Sequence, residues 1–138
     1  MTIAGLAAAA FAFGTAAQAE PTAVPLNGET TVAGVQVGCT GIGQSRHDAR
    51  WNAYPVRIDF AKPGGHFLAD VAVALSRADG GSMLEVSCPG PQVLFKLPPG
   101  SYRVEGRLTK SPNAKPQTAT VSPPASGQRV VTLRFPDA

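Results

Sequence analysis

The chain has 138 residues, 43% of them hydrophobic, and a formal net charge of +3. This length accommodates one domain of ordinary size and excludes a second. Lysine and arginine are spread along the sequence without a cluster of the kind that follows a phosphate backbone, so the charge predicts a solvated basic surface and no nucleic-acid partner.

The first 19 residues contain no charged side chain and have the pattern of a cleavable export signal. The stretch from Ile3 to Phe13 is apolar and alanine-rich, and Ala17-Gln18-Ala19 supplies a small-x-small cleavage sequence. The apolar run is too short to span a bilayer, and it lacks the usual positive residues before it. We predict a signal peptide at residues 1–19 and one domain at 20–138, secreted or periplasmic, with no transmembrane segment in the mature chain. A buried N-terminal helix is the alternative.

The chain contains two cysteines, Cys39 and Cys88. In an oxidising compartment an even number of cysteines favours a disulfide, which would close a loop of about 50 residues and stabilise the fold by roughly 4 kcal/mol. The alternatives are a metal-thiolate pair and a reactive thiol. No second cysteine or histidine lies at ligand spacing from either residue, which disfavours metal binding.

One helical segment, from Ser45 to Ala53, is predicted between the first strands. Ser45 and Asp48 have capping-box spacing, with Asp where Glu is usual. Trp51, the only tryptophan, is expected to pack this segment onto the end of the sandwich. The preceding loop, from Gly38 onward, would be held between the disulfide and the helix cap. Its exposed polar residues, Arg46, His47 and Asp48, form the candidate partner surface.

Alternating apolar residues predict most of the strands. Residues 30–37 predict the first strand, residues 118–121 and 131–135 the last two, and Asp79-Gly80 a primed hairpin turn. The inward-facing sets between them are Tyr54, Val56, Ile58 and Phe60; Val71, Val73 and Leu75; Leu84, Val86 and Cys88; Val93, Phe95 and Leu97; and Tyr102, Val104 and Leu108.

The sequence from Leu97 to Val104 predicts a tight structural turn. Pro99 presets φ at the second position of a type II turn, and Gly100 allows the positive φ that the third position requires. Leu97 would enter the core before the turn and Tyr102 after it, so we predict a hairpin corner. With seven or eight short strands and turns about every 8 to 12 residues, the chain is predicted to be all-β: a two-sheet antiparallel β-sandwich with one short helical turn.

Several of these segments are similar to a known family, the carboxypeptidase-regulatory-like domains, and most closely to small bacterial exported proteins of that group. The matching segments are Gly41-Ile42-Gly43, Tyr54 to Ala61, Gly64 to Val71, Gly90-Pro91 and Leu97 to Val104. The resemblance implies a transthyretin-like (prealbumin-like) sandwich and an exported location. It implies no catalytic residue, because no settled activity comes with that group. Where the group has acidic residues after the glycine turn, this chain has Gln44-Ser45-Arg46-His47-Asp48, which argues against a shared ligand at this loop.

Three sets of polar residues could carry chemistry. Ser45, His47 and Asp48 have the residue types of a hydrolase triad, but neighbours on one helical turn point apart. Asp59 and Asp70, expected on adjacent strands, could act as paired acids, although outward charges on strands are usually solvated. The third set joins His47 and His66 to Asp48 or Asp70 in a divalent metal site.

The metal site requires the two histidines to meet at one end of the sandwich. A helical segment from Ser45 to Ala53 rises only about 12 Å, which is too short to cross the domain. We therefore expect His47 and His66 at separate ends, which argues against the metal site.

These observations favour a non-enzymatic binding or structural module without a cofactor. It would contact an unidentified protein or an envelope polysaccharide through its end loops. One alternative is a periplasmic metal-binding protein that uses His47 and His66. Another is a hydrolase or protease inhibitor, for which the exposed loop would run from Ser111 to Gln117. The sequence leaves the oligomeric state open.

Overall fold

The computed structural model describes residues 20–138, so the predicted signal peptide lies outside the described residues. The described part consists of β-strands and two short 3₁₀ helices. In chain order these are β1 (Thr22–Ala23), β2 (Glu29–Val32), β3 (Val35–Thr40), the first 3₁₀ helix (Gly43–His47), the second 3₁₀ helix (Ala49–Ala53), β4 (Val56–Ala61), β5 (Val71–Arg77), β6 (Ser82–Cys88), β7 (Gln92–Phe95), β8 (Tyr102–Leu108), β9 (Gln117–Val121) and β10 (Arg129–Arg134).

The strands form two sheets of five, which confirms the predicted all-β sandwich. The first sheet has the order β1-β6-β5-β8-β9 and the second has the order β10-β4-β7-β3-β2. Most neighbours are antiparallel, but β1 pairs with β6 and β10 pairs with β4 in parallel. The ten strands exceed the predicted seven or eight because β1 was not predicted and because one predicted strand is a hairpin of two strands.

That hairpin occupies the segment predicted as a single strand at 30–37. Ala33 and Gly34 have φ values of 49° and 79°, so the chain reverses between Val32 and Val35, which pair with each other. Two successive positive φ values are characteristic of a type I′ turn, and alanine is an unusual residue at the first of these positions. The composition of the turn therefore gave no signal for it.

The core lies between the sheets and is built from the predicted alternating residues. Val71, Val73 and Leu75 are at most 1% exposed, and their partners on β6 and β8 are also buried. The Gly80 amide donates to the Arg77 carbonyl, so Ala78 and Asp79 are the central residues of the turn between β5 and β6. Neither has a positive φ, so this is not the predicted primed turn. Leu97, just after β7, and the remaining predicted core residues on β4, β7 and β8 are buried as expected. The strand residues are Val56, Ile58, Phe60, Val93, Phe95, Tyr102, Val104 and Leu108.

The turn from Leu97 to Val104 is not the predicted hairpin. The strands on either side of it, β7 and β8, belong to different sheets, so this segment carries the chain from one layer to the other. Gly100 has a φ of 151°, and the Tyr102 hydroxyl donates a hydrogen bond to the Pro98 carbonyl over 2.8 Å. Both Leu97 and Tyr102 are buried, so their predicted structural role is retained.

The segment between β3 and β4 crosses the outer face of the second sheet, contrary to expectation. Both strands are antiparallel to β7, which lies between them, so they run parallel to each other and the chain must return along the sheet to connect them. Two five-residue 3₁₀ helices cover about 20 Å at 2.0 Å per residue, enough for this return. The prediction failed because it assumed the shorter rise of an α-helix.

Trp51 packs this crossing segment onto the outer face of the sheet and not onto the end of the sandwich. It forms a buried cluster with Tyr54 and Leu94, and a Cβ added to Gly38 would lie 2.6 Å from its ring. Tyr54 was predicted to face the main core, but it belongs to this outer cluster. Its hydroxyl donates to Glu29, and burial is the main cause of the raised pKa of the phenol.

The predicted disulfide between Cys39 and Cys88 is present. The two Cα atoms are 5.7 Å apart and both residues are buried. Because Cys39 lies on β3 and Cys88 on β6, the bond joins the two sheets. It therefore fixes one end of the sandwich.

Candidate functional site

The end of the sandwich fixed by the disulfide gathers five loops, and we call it the disulfide end. Thr40 and Asp59 both pair with Gln92, so β3 and β4 finish together there. Val71, at the start of β5, pairs with Cys88 and Leu108 at the ends of β6 and β8. The loops that meet at this end are 24–28, 41–43, 62–70, 89–91 and 109–116.

Hydrogen bonds between these loops hold them in place. The Asn27 amide donates to the Cys39 carbonyl over 2.7 Å, and the Thr40 hydroxyl donates to the Asn27 side chain over 2.8 Å. The Asp70 amide donates to the Pro89 carbonyl, and Thr109 donates to the Asp70 carbonyl through both its amide and its hydroxyl. Loops 24–28, 62–70, 89–91 and 109–116 are therefore braced by these bonds.

Three large apolar side chains are exposed on three different loops of the disulfide end. Leu26 is 37% exposed, Ile42 47% and Phe67 44%. Within residues 20–138 the only other exposed large hydrophobic residue is Val130, near the start of β10 at the opposite end. Leu26 lies close to Gly90, and Phe67 pairs with Ala61 at the end of β4. Apolar exposure is thus concentrated at one end of the domain.

Basic groups accompany these apolar side chains. The Arg50 guanidinium donates to the Asn27 carbonyl, next to Leu26, over 2.5 Å. Lys62 begins the loop that carries Phe67, and its amide donates to the carbonyl of His66. Asp48 lies 3.6 Å from the Arg50 side chain and Asp70 lies 3.2 Å from Lys110, so the disulfide end combines apolar side chains with charged groups of both signs.

The candidate partner surface of Arg46, His47 and Asp48 lies on the crossing segment and not in an end loop. The Arg46 side chain donates to the His47 ring over 3.1 Å. Asp48 accepts from the Arg50 amide over 3.0 Å and lies 3.6 Å from its guanidinium. Asp48 therefore caps the second 3₁₀ helix. Ser45 does not provide the predicted cap, because the first helix begins at Gly43 without a side-chain cap.

We expected His47 and His66 at separate ends because the segment from Ser45 to Ala53 was taken to be too short to cross the domain. That premise was wrong, since the segment does cross it. His66 follows β4, so it lies at the end where β3 finishes, and the segment that carries His47 starts from that same end. Residues 20–138 nevertheless contain no group of three or more His, Cys, Asp or Glu side chains that could hold a metal ion.

The two aspartates predicted on adjacent strands belong to different sheets and have different partners. Asp59 lies on β4 of the second sheet, while Asp70 precedes β5 of the first sheet and is 3.2 Å from Lys110. Asp59 accepts two hydrogen bonds from Arg57, at 2.9 and 3.0 Å. Burial raises the pKa of Asp59, and Arg57 opposes this increase. The two carboxyl groups therefore do not form a pair.

The loop from Ser111 to Gln117 folds back on itself. The Ser111 amide donates to Leu108 and the Ala114 amide donates to Ser111, which makes two successive turns before Gln117 enters β9. Together with Pro21, this loop covers Ala72 on the outer face of the first sheet and lines a cavity of 370 Å³. An extended inhibitory loop is not the conformation found here.

An open trough runs along β5 on that same outer face. Small residues form its floor, and its largest cavity, of 460 Å³, lies above Ala74 between Glu85 and Glu105. Glu85 forms an ion pair with Arg107. The walls therefore carry both signs of charge, and the trough indicates no particular ligand.

Leu26, Ile42 and Phe67 were not predicted as site residues. A sequence signal existed, because Leu26 and Ile42 each stand among glycine, proline or asparagine, and Phe67 follows Gly64-Gly65-His66. Apolar residues at such turn positions do not continue a strand and lack a core position.

No protein-family model matches the chain, and no curated protein matches it in sequence.

Proposed function

We propose that this chain is an exported binding or structural module without enzymatic activity, and that it contacts an apolar surface of the cell envelope through the disulfide end. The observation that carries this proposal is the concentration of Leu26, Ile42 and Phe67 at one braced end. Exposed apolar side chains gathered in one region of a protein surface can mark contact sites with proteins or membranes.

Export is supported by two features. The apolar sequence of residues 1–19 fits a signal peptide, and the disulfide between Cys39 and Cys88 is of a kind that persists in oxidising compartments. Neither 3₁₀ helix in residues 20–138 is long enough to cross a membrane. The resemblance to carboxypeptidase-regulatory-like domains agrees with the proposal, since such domains are accessory modules on exported proteins.

The apolar character of the disulfide end favours an apolar partner over the envelope glycan that the sequence also suggested. Sugar hydroxyls buried under leucine, isoleucine and phenylalanine would lose hydrogen bonds to water without replacement, which is costly. Neither a metal site on His47 and His66 nor an inhibitory loop at 111–117 gains support from the described geometry.

The proposal can be tested by sedimenting the purified domain, residues 20–138, with isolated bacterial envelopes. Burying the exposed part of each apolar side chain contributes on the order of 1 kcal/mol, so removing all three is expected to weaken binding about 100-fold. The test variant is L26S/I42S/F67S. The matched control is Val130→Ser, because Val130 is 43% exposed but lies at the other end.

The control is expected to bind like the parent protein. All four positions are more than one-third exposed, so thermal unfolding should show that both variants stay folded. At about 0.5 kcal/mol for each surface substitution, the triple variant should lose about 1.5 kcal/mol of stability and the control about 0.5 kcal/mol. Equal sedimentation of the triple variant and the parent would refute the proposal.

A further inference from the structure

We infer that Asn27 is a site of spontaneous deamidation, and that the folded disulfide end prevents this reaction until its loops open. The reaction converts the Asn27 side chain into a carboxylate and consumes only water. It is independent of the proposed function. A molecule whose disulfide end has opened for long enough would carry a permanent chemical mark.

The sequence around Asn27 favours this reaction. The chain has three asparagines, of which Asn27 precedes a glycine while Asn52 and Asn113 precede alanines. Deamidation begins when the main-chain nitrogen of the following residue attacks the side-chain carbonyl carbon. Glycine has no Cβ beside that nitrogen, and its backbone is the most permissive. In an unfolded chain the Asn27-Gly28 pair is therefore the most reactive of the three.

The reaction proceeds through a cyclic imide. The Gly28 amide gives up its proton, and its nitrogen forms a bond to Cγ of Asn27. The bond from Cγ to the side-chain nitrogen breaks, and that nitrogen leaves as ammonia with the proton from Gly28. Water then opens the imide at either of its carbonyl carbons, which gives aspartate or isoaspartate. No oxidant, cofactor or enzyme takes part.

The turn that contains Asn27 keeps the reacting atoms apart. The Gly28 amide donates to the Pro25 carbonyl over 2.9 Å. Asn27 has a φ of 58° and Leu26 has no positive φ, which is the pattern of a type II turn. The third residue of that turn has a ψ of about 0°, whereas the imide needs the Gly28 nitrogen to eclipse Cβ of Asn27, a rotation of about 120°. Ring closure therefore requires the turn to open.

Hydrogen bonds from β3 and from the crossing segment hold this turn closed. The Asn27 amide donates to the Cys39 carbonyl over 2.7 Å, and the Cys39 amide donates to the Gly28 carbonyl over 3.2 Å. The Thr40 hydroxyl donates to Oδ1 of Asn27 over 2.8 Å, and the Arg50 guanidinium donates to the Asn27 carbonyl over 2.5 Å. Because Cys39 also forms the disulfide, the opening of the turn is coupled to that bond.

The isoaspartate product does not fit the folded turn. Isoaspartate adds one carbon atom to the main chain between Cα of residue 27 and the nitrogen of Gly28. The bond from Gly28 to Pro25 and the pairing with Cys39 depend on the original spacing. The modification is therefore irreversible, and it records that the disulfide end has opened.

Peptide mapping by mass spectrometry measures the reaction. The purified protein is incubated in mildly alkaline buffer in three states: folded and oxidised, reduced without denaturant, and reduced in concentrated urea. The tryptic peptide that ends at Arg46 contains Asn27 as its only asparagine. We expect deamidation in urea to be at least tenfold faster than in the folded, oxidised protein, because the reaction there needs no local opening. Reduction alone should accelerate it at least fivefold.

The peptides that carry Asn52 and Asn113 are internal controls. Both residues are exposed in the folded protein and precede an alanine. In urea they should deamidate more slowly than Asn27, because the alanine Cβ crowds the attacking nitrogen.

Single variants test the bonds that hold the turn. Thr40→Val removes the hydroxyl and keeps the branched shape, and it should raise the rate in the folded, oxidised protein about fivefold, the factor that corresponds to one hydrogen bond. Arg50→Ala should raise it by at least as much. The matched control is Arg46→Ala on the same crossing segment, because Arg46 donates to the His47 ring and not to the turn. Its rate should change less than twofold.

Rates in urea separate the chemistry from the fold. All three variants should deamidate at the parent rate in urea, since they leave the Asn27-Gly28 pair unchanged. Undetectable deamidation in urea would refute Asn27 as the site, and equal rates in the folded and unfolded protein would refute the protection. A lower rate in folded Thr40→Val would mean that the hydroxyl activates the carboxamide, which contradicts the inference. An unchanged rate after reduction would overturn the coupling to the disulfide.

Discussion

Removing the disulfide between Cys39 and Cys88 is expected to cost the protein a large part of its stability. The two residues are 49 positions apart in sequence, and the bond joins β3 of one sheet to β6 of the other. The chain-entropy relation gives about 4 kcal/mol at 25 °C for a loop of this length. Small domains are typically stable by only about 5 to 15 kcal/mol, so this bond accounts for a substantial fraction.

Urea unfolding of two forms separates the cross-link from the packing of the sulfur atoms. The first is the parent protein under reducing conditions, which keeps both buried side chains and loses only the bond. The second is C39A/C88A, which also leaves a small cavity, because both residues are at most 2% exposed. With a urea slope of about 1.5 kcal/mol/M, reduction should lower the midpoint by between about 2 and 3 M. The double variant should fall slightly lower.

The reasoning fails if reduction moves the urea midpoint by less than about 0.5 M. It also fails if two free thiols are titrated in the denatured, unreduced protein. A normal midpoint for the reduced parent together with a strongly lowered midpoint for C39A/C88A would mean that the sulfur atoms stabilise the core by packing alone.

Three further changes test the packing and the charges. Tyr102→Phe removes the hydrogen bond to Pro98 and should lower the free energy of unfolding in urea by about 1 kcal/mol. Tyr102→Ala also removes the ring and should lower it by at least about 3 kcal/mol. Equal losses in the two variants would show that the ring is not buried. Gly38→Ala places a Cβ 2.6 Å from Trp51 and should cost about 1 to 3 kcal/mol, whereas Gly64→Ala, with open space around it, should be neutral. Burial raises the pKa of Asp59 above its ordinary 3.8. The Asp59 carboxyl group therefore binds a proton more tightly in the folded protein than in the unfolded chain. The stability of the parent relative to Asp59→Asn should therefore fall as pH rises above about 4, and a rise would contradict the assigned direction.

The sequence predicted the local features of the fold well. Period-two alternation identified the inward residues of β5, such as Val71 and Val73, because a strand buried on one face imposes that pattern. The even cysteine count predicted the bond that the structure contains. These features depend on residues close in sequence or on simple chemistry.

The sequence did not predict which strands share a sheet or where the connecting segments lie, because these depend on residues far apart in the chain. The corner at Leu97 to Tyr102 has turn residues whether it joins neighbours in one sheet or crosses between sheets, so sequence alone does not choose. The crossing segment was misplaced because its helical rise was unknown. This error hid the gathering of five loops at the disulfide end, and with it the exposed residues Leu26, Ile42 and Phe67.

The position of Trp51 allows the crossing segment and the sandwich to be followed by separate optical signals. The only tryptophan lies outside the main core, with the Arg50 guanidinium 4.3 Å above its ring and its indole nitrogen donating to the Ser45 carbonyl. Indole emission therefore reports whether the crossing segment is docked, while far-ultraviolet dichroism reports the strands. A fluorescence transition that precedes the dichroism transition would reveal a separately opening unit, and coincident transitions would show that the outer cover and the sandwich melt as one.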